Sequence, residues 1–218
     1  MTSSIVEDYL KTIYLLSDAS SDAVATGKIA EEMQVSPGTV TSMLKTLAEA
    51  KLATYVPYQG ASLTKSGKAQ ALRIVRRHRL IEEFLMKTLQ IPWDQVHAEA
   101  ERMEHAVSDS LIDHIDAYLG YPKVDPHGDP IPNAQGRVVS DQAKPLASCG
   151  AGDTFRLTRV LDQAPDFLRY LTDSGLRIGS QGRLTGKRPE LGVLTIAIAD
   201  QSITLSLGVA EKLLVARD

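Results

Sequence analysis

The chain has 218 residues, 43% apolar and 23% charged, an ordinary globular composition that suits two or three small domains. No apolar run approaches the roughly 20 residues needed to cross a bilayer, and the start, Met1-Thr-Ser-Ser-Ile-Val-Glu-Asp8, has neither the basic segment nor the apolar core of a secretory signal, so a cytoplasmic protein is expected. Its one cysteine, Cys149, excludes an internal disulfide and a thiolate cluster, leaving oxygen and nitrogen to hold any metal; the net charge of −3 argues weakly against nucleic acid until its distribution is considered.

From Ser4 onward, Val6, Tyr9, Leu10 and Ile13 follow the i, i+3, i+4, i+7 spacing of a helix with one buried stripe. A polar loop from Ser17 to Ala25 leads to Thr26, the expected N-cap of a short helix carrying Ile29, Ala30 and Met33. Ser36 caps the next helix, and Pro37 suits its first turn, where a missing N–H costs nothing. That helix runs to about Ala50, with Val40, Leu44 and Leu47 on one face and Thr39, Thr41, Ser42, Lys45 and Thr46 on more exposed sides. Two short helices joined by a tight turn, the second bearing small polar donors, read as a helix-turn-helix. The extended runs Leu52 to Pro57 and Ala61 to Thr64, around a turn at Tyr58-Gln59-Gly60, read as a hairpin wing. Residues 1–79 hold 10 Lys and Arg against 7 Asp and Glu, whereas residues 80–218 hold 14 against 20, so the modest basic excess lies with this expected DNA reader.

Thr64 caps a long helix from Lys65 to about Leu89, which ends before Ile91-Pro92 because proline disfavours helix at the residue before it. One further helix is expected from Trp93 to about Leu119. Between Gly120 and Gly152 prolines and glycines crowd together, the composition of a linker. Beyond it, Thr154 to Leu161, Gly182 to Thr185, Gly192 to Ala199 and Ser202 to Leu207 have strand lengths, and Pro165 to Thr172 reads as a short helix; about five short strands in so few residues suggest a small barrel.

Placed on one helix at about 100° per residue, His97, Glu101, Glu104 and His105 fall within about 100° of arc, while Glu99 and Arg102 fall elsewhere. Inward-facing carboxylates and imidazoles need compensation, which a divalent cation supplies. His78 and Glu82 form an i, i+4 pair on the preceding helix, and Asp8 lies beside the apolar stripe of the first. Spacing alone leaves both a metal site and a solvated helix face open. Glu101-Arg-Met-Glu104-His105 nearly matches the His-x-x-Glu-His pattern of some zinc proteases, but the first histidine is absent and hard oxygen donors favour manganese or similar ions.

Glu7-Asp-Tyr-Leu-Lys-Thr-Ile-Tyr14, Arg77-His-Arg-Leu80, Glu101-Arg-Met-Glu-His105 and Pro126-His-Gly-Asp-Pro-Ile-Pro132, in this order, resemble the diphtheria toxin repressor family along nearly the whole chain, and its manganese-responsive branch in particular. The resemblance implies an α+β multidomain protein. Its parts would be a winged helix-turn-helix (residues 1–72), an all-helical dimerisation and metal domain (73–140), a linker (141–152) and a small SH3-like, FeoA-like β-barrel (153–218). It implies a primary metal site at Asp8, Glu101, Glu104 and His105 and an ancillary site at His78, Glu82 and His97, with Gln163 and Asp166 as the nearest donors from the third domain.

Iron-responsive members place methionine at the position of Asp8 and cysteine at that of Glu101, and manganese-responsive members place Asp and Glu, the pair present here. Manganese regulators with a closely spaced metal pair usually have Glu where this chain has Lys11, and a cation there cannot bridge metals. The implied function is a Mn2+-activated transcriptional repressor, not an enzyme, acting as a homodimer on a palindromic double-stranded DNA operator that controls metal-ion transport genes. No membrane or organic substrate is implied. Fe2+, Co2+, Cd2+ and Zn2+ are further occupants expected in vitro. Ser36, Pro37, Thr39, Thr41, Ser42 and Lys45 would meet phosphates and base edges, and Gln59 on the wing would meet backbone. An iron-responsive or other-ligand-responsive winged-helix regulator is the alternative, and a metallohydrolase the remaining one.

Overall fold

A computed structural model describes residues 3–17, 23–139, 142–199 and 201–216. They pack as two compact units, one built on Met1–His78 with Pro132–Arg137 and the other on Arg79–Ile131 with Val138–Asp218.

The first unit opens with α1 (Ser4–Leu16), followed by α2 (Thr26–Glu32) and α3 (Pro37–Glu49). The polar loop expected between α1 and α2 lies at residues 18–22 outside the described residues. Leu10, Ile13, Ile29, Val40, Leu44 and Leu47 are sealed from solvent and supply the core, so the stripes read from spacing are the faces that pack. Thr26 is the first residue of α2 and not its cap. The cap position belongs to Ala25, whose carbonyl accepts from Ile29 N and whose neighbour Val24 is held extended by a bridge to Ala61. At α3 the expected cap is present: Ser36 Oγ accepts from Thr39 N at 3.1 Å, and Pro37 opens the helix.

The wing consists of β1 (Ala53–Val56) and β2 (Gly60–Leu63), antiparallel with Val56 opposite Gly60. Its turn is centred earlier than the expected Tyr58-Gln59-Gly60. Gln59 N donates to Val56 O, so Pro57 and Tyr58 are the central residues and Gly60 already belongs to β2. Glycine is required at 60 because a Cβ there would sit 2.3 Å from the Val24 carbonyl oxygen, at a φ of +111°. Thr64 Oγ1 accepts from Gly67 N and caps α4 (Lys65–Leu89), whose bounds agree with those read from the sequence.

In the second unit the later part of α4 packs with α5 (Val96–Met103) and α6 (Asp109–Tyr118) around Leu80, Ile81, Val96, Ala100 and Ile112. The single helix expected from Trp93 to Leu119 is therefore two. Ser108 breaks it, taking an extended backbone and accepting from Leu111 N through its hydroxyl to start α6.

The remainder comprises β3 (Lys144–Pro145), β4 (Thr154–Val160), α7 (Pro165–Asp173), β5 (Gln181–Arg188), β6 (Val193–Ile198), β7 (Gln201–Ser206), α8 (Leu207–Glu211) and β8 (Leu213–Ala216). The strands form one antiparallel sheet in the order β3-β8-β4-β5-β6-β7, curled by irregularities at Leu157/Arg159 and Leu184/Gly186 around Phe155, Leu157, Leu184, Ile196 and Val215. This is the small SH3-like barrel of an α+β protein.

The proline-rich stretch read as linker contains instead a buried loop, Asp125–Asp129. Asp125 Oδ1 accepts from the N–H groups of His127 (2.8 Å) and Asp129 (2.9 Å), closing the loop on itself. Val160 N donates to His127 O at 2.9 Å, and Gly128, at φ +86°, lies so close to β4 that a Cβ would stand 2.0 Å from Thr158 O.

Candidate metal centre and nucleic-acid interface

The α3 residues Ser36, Pro37, Thr39, Ser42 and Lys45 are exposed, Thr41 is half-buried, and Gln59 is exposed on the wing. Three hydroxyls on this face are already engaged: Ser36 Oγ caps the helix and contacts Thr39 Oγ1 at 2.9 Å, and Thr41 Oγ1 donates to Pro37 O at 2.9 Å. Lys45 carries the charge of the face.

In the same unit Asp8 is half-buried on α1 and His78 is buried on α4, one turn before Glu82. In the other unit α4 and α5 bring Glu82, His97 and Glu101 together. His97 Nδ1 lies 3.2 Å from Glu82 Oε1, and His97 Nε2 lies 3.8 Å from Glu101 Oε1. Glu104 caps the C-terminus of α5 and is fully buried, with His105 Nε2 3.5 Å from its Oε1. Because α5 ends at Met103, His105 is placed by a turn and not by the helical periodicity that singled it out.

Gln163 and Asp166 are engaged elsewhere. Gln163 Nε2 donates to Asp129 Oδ2 at 2.7 Å, and Asp166 pairs with Arg169 one turn along α7. Asp129 also meets Arg79 and Arg159, which ties the buried loop to α4 and to β4.

One group escaped the sequence reading altogether. Glu82, Asp125 and His127 are all buried, and one donor atom from each lies within 4.8 Å of the others. His127 Nε2 donates to the Trp93 carbonyl oxygen at 2.8 Å, which fixes the tautomer, because a carbonyl only accepts. Its Nδ1 has no hydrogen-bond partner and lies 3.9 Å from both Glu82 Oε2 and Asp125 Oδ1. That is too long for a hydrogen bond. Burial above all, then the charges of Glu82 and Asp129, holds the Asp125 carboxyl well above the usual range, against the Arg79 charge and the Asp129 N–H, which pull it down.

A lone pair aimed at two carboxylates, sealed from water, is unfavourable as it stands. It fits a divalent cation with nitrogen and oxygen donors at roughly 2.0–2.2 Å, which separates neighbouring donors by about 3–4 Å. The residues present therefore suit a metal. Glu82 turns Oε1 to His97 and Oε2 toward His127, so one carboxylate serves both imidazoles. The signal available in the sequence was Asp125 followed by Pro126-His127, the latter two opening a motif, Pro126 to Pro132, noticed only as a resemblance.

A helix-turn-helix with a wing, a helical layer carrying imidazole–carboxylate groups and a small antiparallel barrel define a DNA-binding regulator governed by metal. Residues 1–61 match the N-terminal DNA-binding domain of iron-dependent repressors, residues 64–133 their metal-binding and dimerisation domain, and residues 144–217 the FeoA domain. The iron-dependent repressor IdeR of Mycobacterium leprae is 32% identical over 159 residues, 73% of this chain and 67% of the relative. The HTH-type transcriptional regulator MntR of Bacillus subtilis is 34% identical over 121 residues, 56% of this chain and 84% of the relative. A solved structure described as a manganese-dependent transcriptional repressor in complex with manganese superposes with a TM-score of 0.88 at 40% identity, covering 98% of this chain and 100% of the other. The chain belongs to the iron-dependent repressor family and is a metal-dependent transcriptional repressor with a C-terminal FeoA domain. Among the described residues no helix is long and apolar enough to cross a membrane.

Proposed function

We propose that this repressor is activated by Mn2+ in the cytoplasm and binds a palindromic operator as a homodimer to control metal-ion transport genes. The chemistry of its donors carries the reading. The candidate ligands are carboxylates and imidazoles, and the single thiol, Cys149, is buried in the barrel core. Hard oxygen and imidazole donors without sulfur suit an ion low in the Irving–Williams series. The likeness to a manganese-dependent repressor at 40% identity supports the same choice.

In this reading Asp8, Glu101, Glu104 and His105 hold the primary ion, and His78, Glu82 and His97 the ancillary one. Glu82, Asp125 and His127 form a further group, which competes with the ancillary site for Glu82. Bound metal neutralises the clustered carboxylates and joins α1 to the dimerisation helices. A dimeric reader needs half-sites about 34 Å apart, one turn of DNA, so fixing each winged helix relative to its twin favours the spacing that binds. Ser36, Pro37, Thr39, Thr41, Ser42, Lys45 and Gln59 face the DNA.

The name of the Mycobacterium leprae relative favours iron as a second reading. One experiment separates them: full-length protein is incubated with sheared DNA from its source in chelator, Mn2+ or anaerobic Fe2+ at near-physiological salt, and retained fragments are sequenced. Enrichment of fragments sharing an inverted repeat in Mn2+ is expected. The same enrichment in Fe2+ alone would reverse the metal assignment, and equal enrichment in chelator would remove metal from the mechanism.

A further inference from the structure

The seam between the helical and barrel cores of the second unit does not close completely. A cleft of about 500 Å³ remains between the end of α4, the segment before α5 and the chain leaving α7. Met86 and Ile91 pack against the helical core, and Trp93 and Ile178 against the barrel core. Where two cores of one unit meet, side chains normally interdigitate and leave few voids larger than a water molecule. Here they leave an indole, a thioether, two isoleucines and the Pro126 ring lining open space, the composition of a pocket for a small molecule.

The charged and hydroxyl groups around the cleft are few, and only one is not already engaged. Asp94 accepts from Arg169 at 3.0 Å. Thr172 Oγ1 accepts from Trp93 Nε1 at 2.9 Å and donates to Leu168 O at 3.0 Å, which fixes the indole as a wall. Arg177 is exposed at the rim, and its guanidinium meets no carboxylate among the described residues. Its backbone is pinned at both ends: Arg177 N donates to Ser180 Oγ at 3.0 Å, and Arg177 O accepts from Ser180 N at 2.9 Å. A ligand that satisfies this site has an apolar body for the walls and a negative charge for the rim. A carboxylate suits the planar guanidinium, which can pair with both of its oxygens, whereas a neutral or cationic head leaves the arginine unmatched.

We propose that this cleft binds a small organic carboxylate, its apolar body against Trp93, Met86 and Ile178 and its charge paired with Arg177. The inference goes beyond the metal reading and gives the regulator a second class of ligand. The occupant rests on Trp93, the residue whose carbonyl oxygen holds His127 Nε2 at 2.8 Å.

The test titrates full-length, Mn2+-loaded protein by calorimetry with naphthoate, an aromatic acid, and with naphthamide, its neutral counterpart. Naphthoate should bind once per chain and about tenfold more tightly than naphthamide, the advantage of a charge-assisted pair. Arg177→Gln should lose that advantage and leave naphthamide binding unchanged, a split that a damaged fold cannot produce, since it would weaken both. Ile178→Phe, which fills the apolar end, should weaken both compounds. Anilinonaphthalene sulfonate, which also joins an anion to an apolar body, should bind with energy transfer from Trp93, the only tryptophan, and be displaced by naphthoate. Equal affinity for the two compounds, no binding of either, or Arg177→Gln binding naphthoate as tightly as wild type would overturn the proposal. None of these outcomes bears on the metal reading, which the DNA selection tests.

Discussion

His127 gives its Nε2 proton to the carbonyl oxygen of Trp93 at 2.8 Å, and that bond turns the Nδ1 lone pair toward the carboxylates of Glu82 and Asp125. The two rings stack with centroids 6.0 Å apart, and Trp93 is the only tryptophan in the chain. An ion bound by His127 therefore comes with its own reporter. Titration with Mn2+, which is paramagnetic, should quench tryptophan emission saturably in the wild type. His127→Gln should abolish that phase and lower bound metal by one ion per chain. Unaltered quenching in His127→Gln would remove this group from the metal sites.

Asp125 is expected to contribute to the pH and metal dependence of stability. Its folded carboxyl is held above the ordinary range, by burial first and then by Glu82 and Asp129. As pH rises from the unfolded carboxyl value, about 3.9, the unfolded chain releases its proton before the folded one, so stability falls until the raised folded value is passed and is flat above it. Asp125→Asn keeps an oxygen for the N–H groups of His127 and Asp129 and removes the charge. In chelator near neutral pH it should gain on the order of 1 kcal/mol, roughly 2–4 °C in melting temperature. With saturating Mn2+ the order should reverse, because the wild type gains binding energy, about 2.7 kcal/mol at a hundred times Kd, that the variant loses. Calorimetry across pH 4 to 8 in both conditions checks both signs, and a variant less stable than wild type in chelator would contradict the argument.

Local chemistry was legible at α3 and α4, where a cap fixed the start, but not at α2, whose cap is Ala25 and not the expected Thr26. The limits of α4 and the start of α3 follow from Thr64, Ser36 and Pro37. Elements decided by tertiary contact were not. Nothing as strong as proline or glycine marks the break between α5 and α6, only Ser108. Leu213–Ala216 is too short to announce β8, which is defined by its neighbours β3 and β4. Glycine and proline in residues 120–139 carry the composition of a linker, yet Gly128 is there for close approach to Thr158 and Asp129 for two arginines. For the same reason His97, Glu101, Glu104 and His105 could be named from a single helical period, although α5 ends at Met103, while Asp125 and His127 required the fold that buries them beside Glu82.

Gly128→Ala tests how firmly the loop is pinned to the barrel. The added Cβ would stand 2.0 Å from Thr158 O and 2.7 Å from Arg159 Cα, at a φ of +86° that alanine disfavours. Backbone atoms on β4 cannot rotate aside, so a loss of roughly 2–4 kcal/mol is expected. Chemical denaturation should show it, and limited proteolysis should cut residues 120–139 faster than in the wild type. A Gly128→Ala protein as stable as wild type would mean that the loop can lift from β4 at little cost.

The metal preference should follow sulfur. Glu101→Cys replaces a hard oxygen donor beside His97 Nε2 with a thiolate, which binds Fe2+ better relative to Mn2+. In anaerobic titrations the ratio of Fe2+ to Mn2+ needed for half-maximal operator binding should fall about tenfold. An unchanged ratio would sever the link between donor softness and response.

In the proposed metal reading, Lys11 is expected to limit how many ions gather near Asp8 on α1. It follows Asp8 by three residues on α1, so both share a face, and it is buried to 7% exposure, an environment in which an ammonium is kept only when it is compensated. A fixed positive charge there repels any second ion near Asp8. Lys11→Glu exchanges that charge for a further carboxylate and should raise bound Mn2+ by one per chain, with a steeper manganese dependence of operator binding. In chelator the variant should be less stable than wild type, since two carboxylates then share the face without a cation. Lys11→Met separates the effects: it removes the repulsion without adding a ligand, and its metal content should stay at the wild-type value. Lys11→Glu with unchanged stoichiometry would show that the number of ions is set elsewhere than at this lysine.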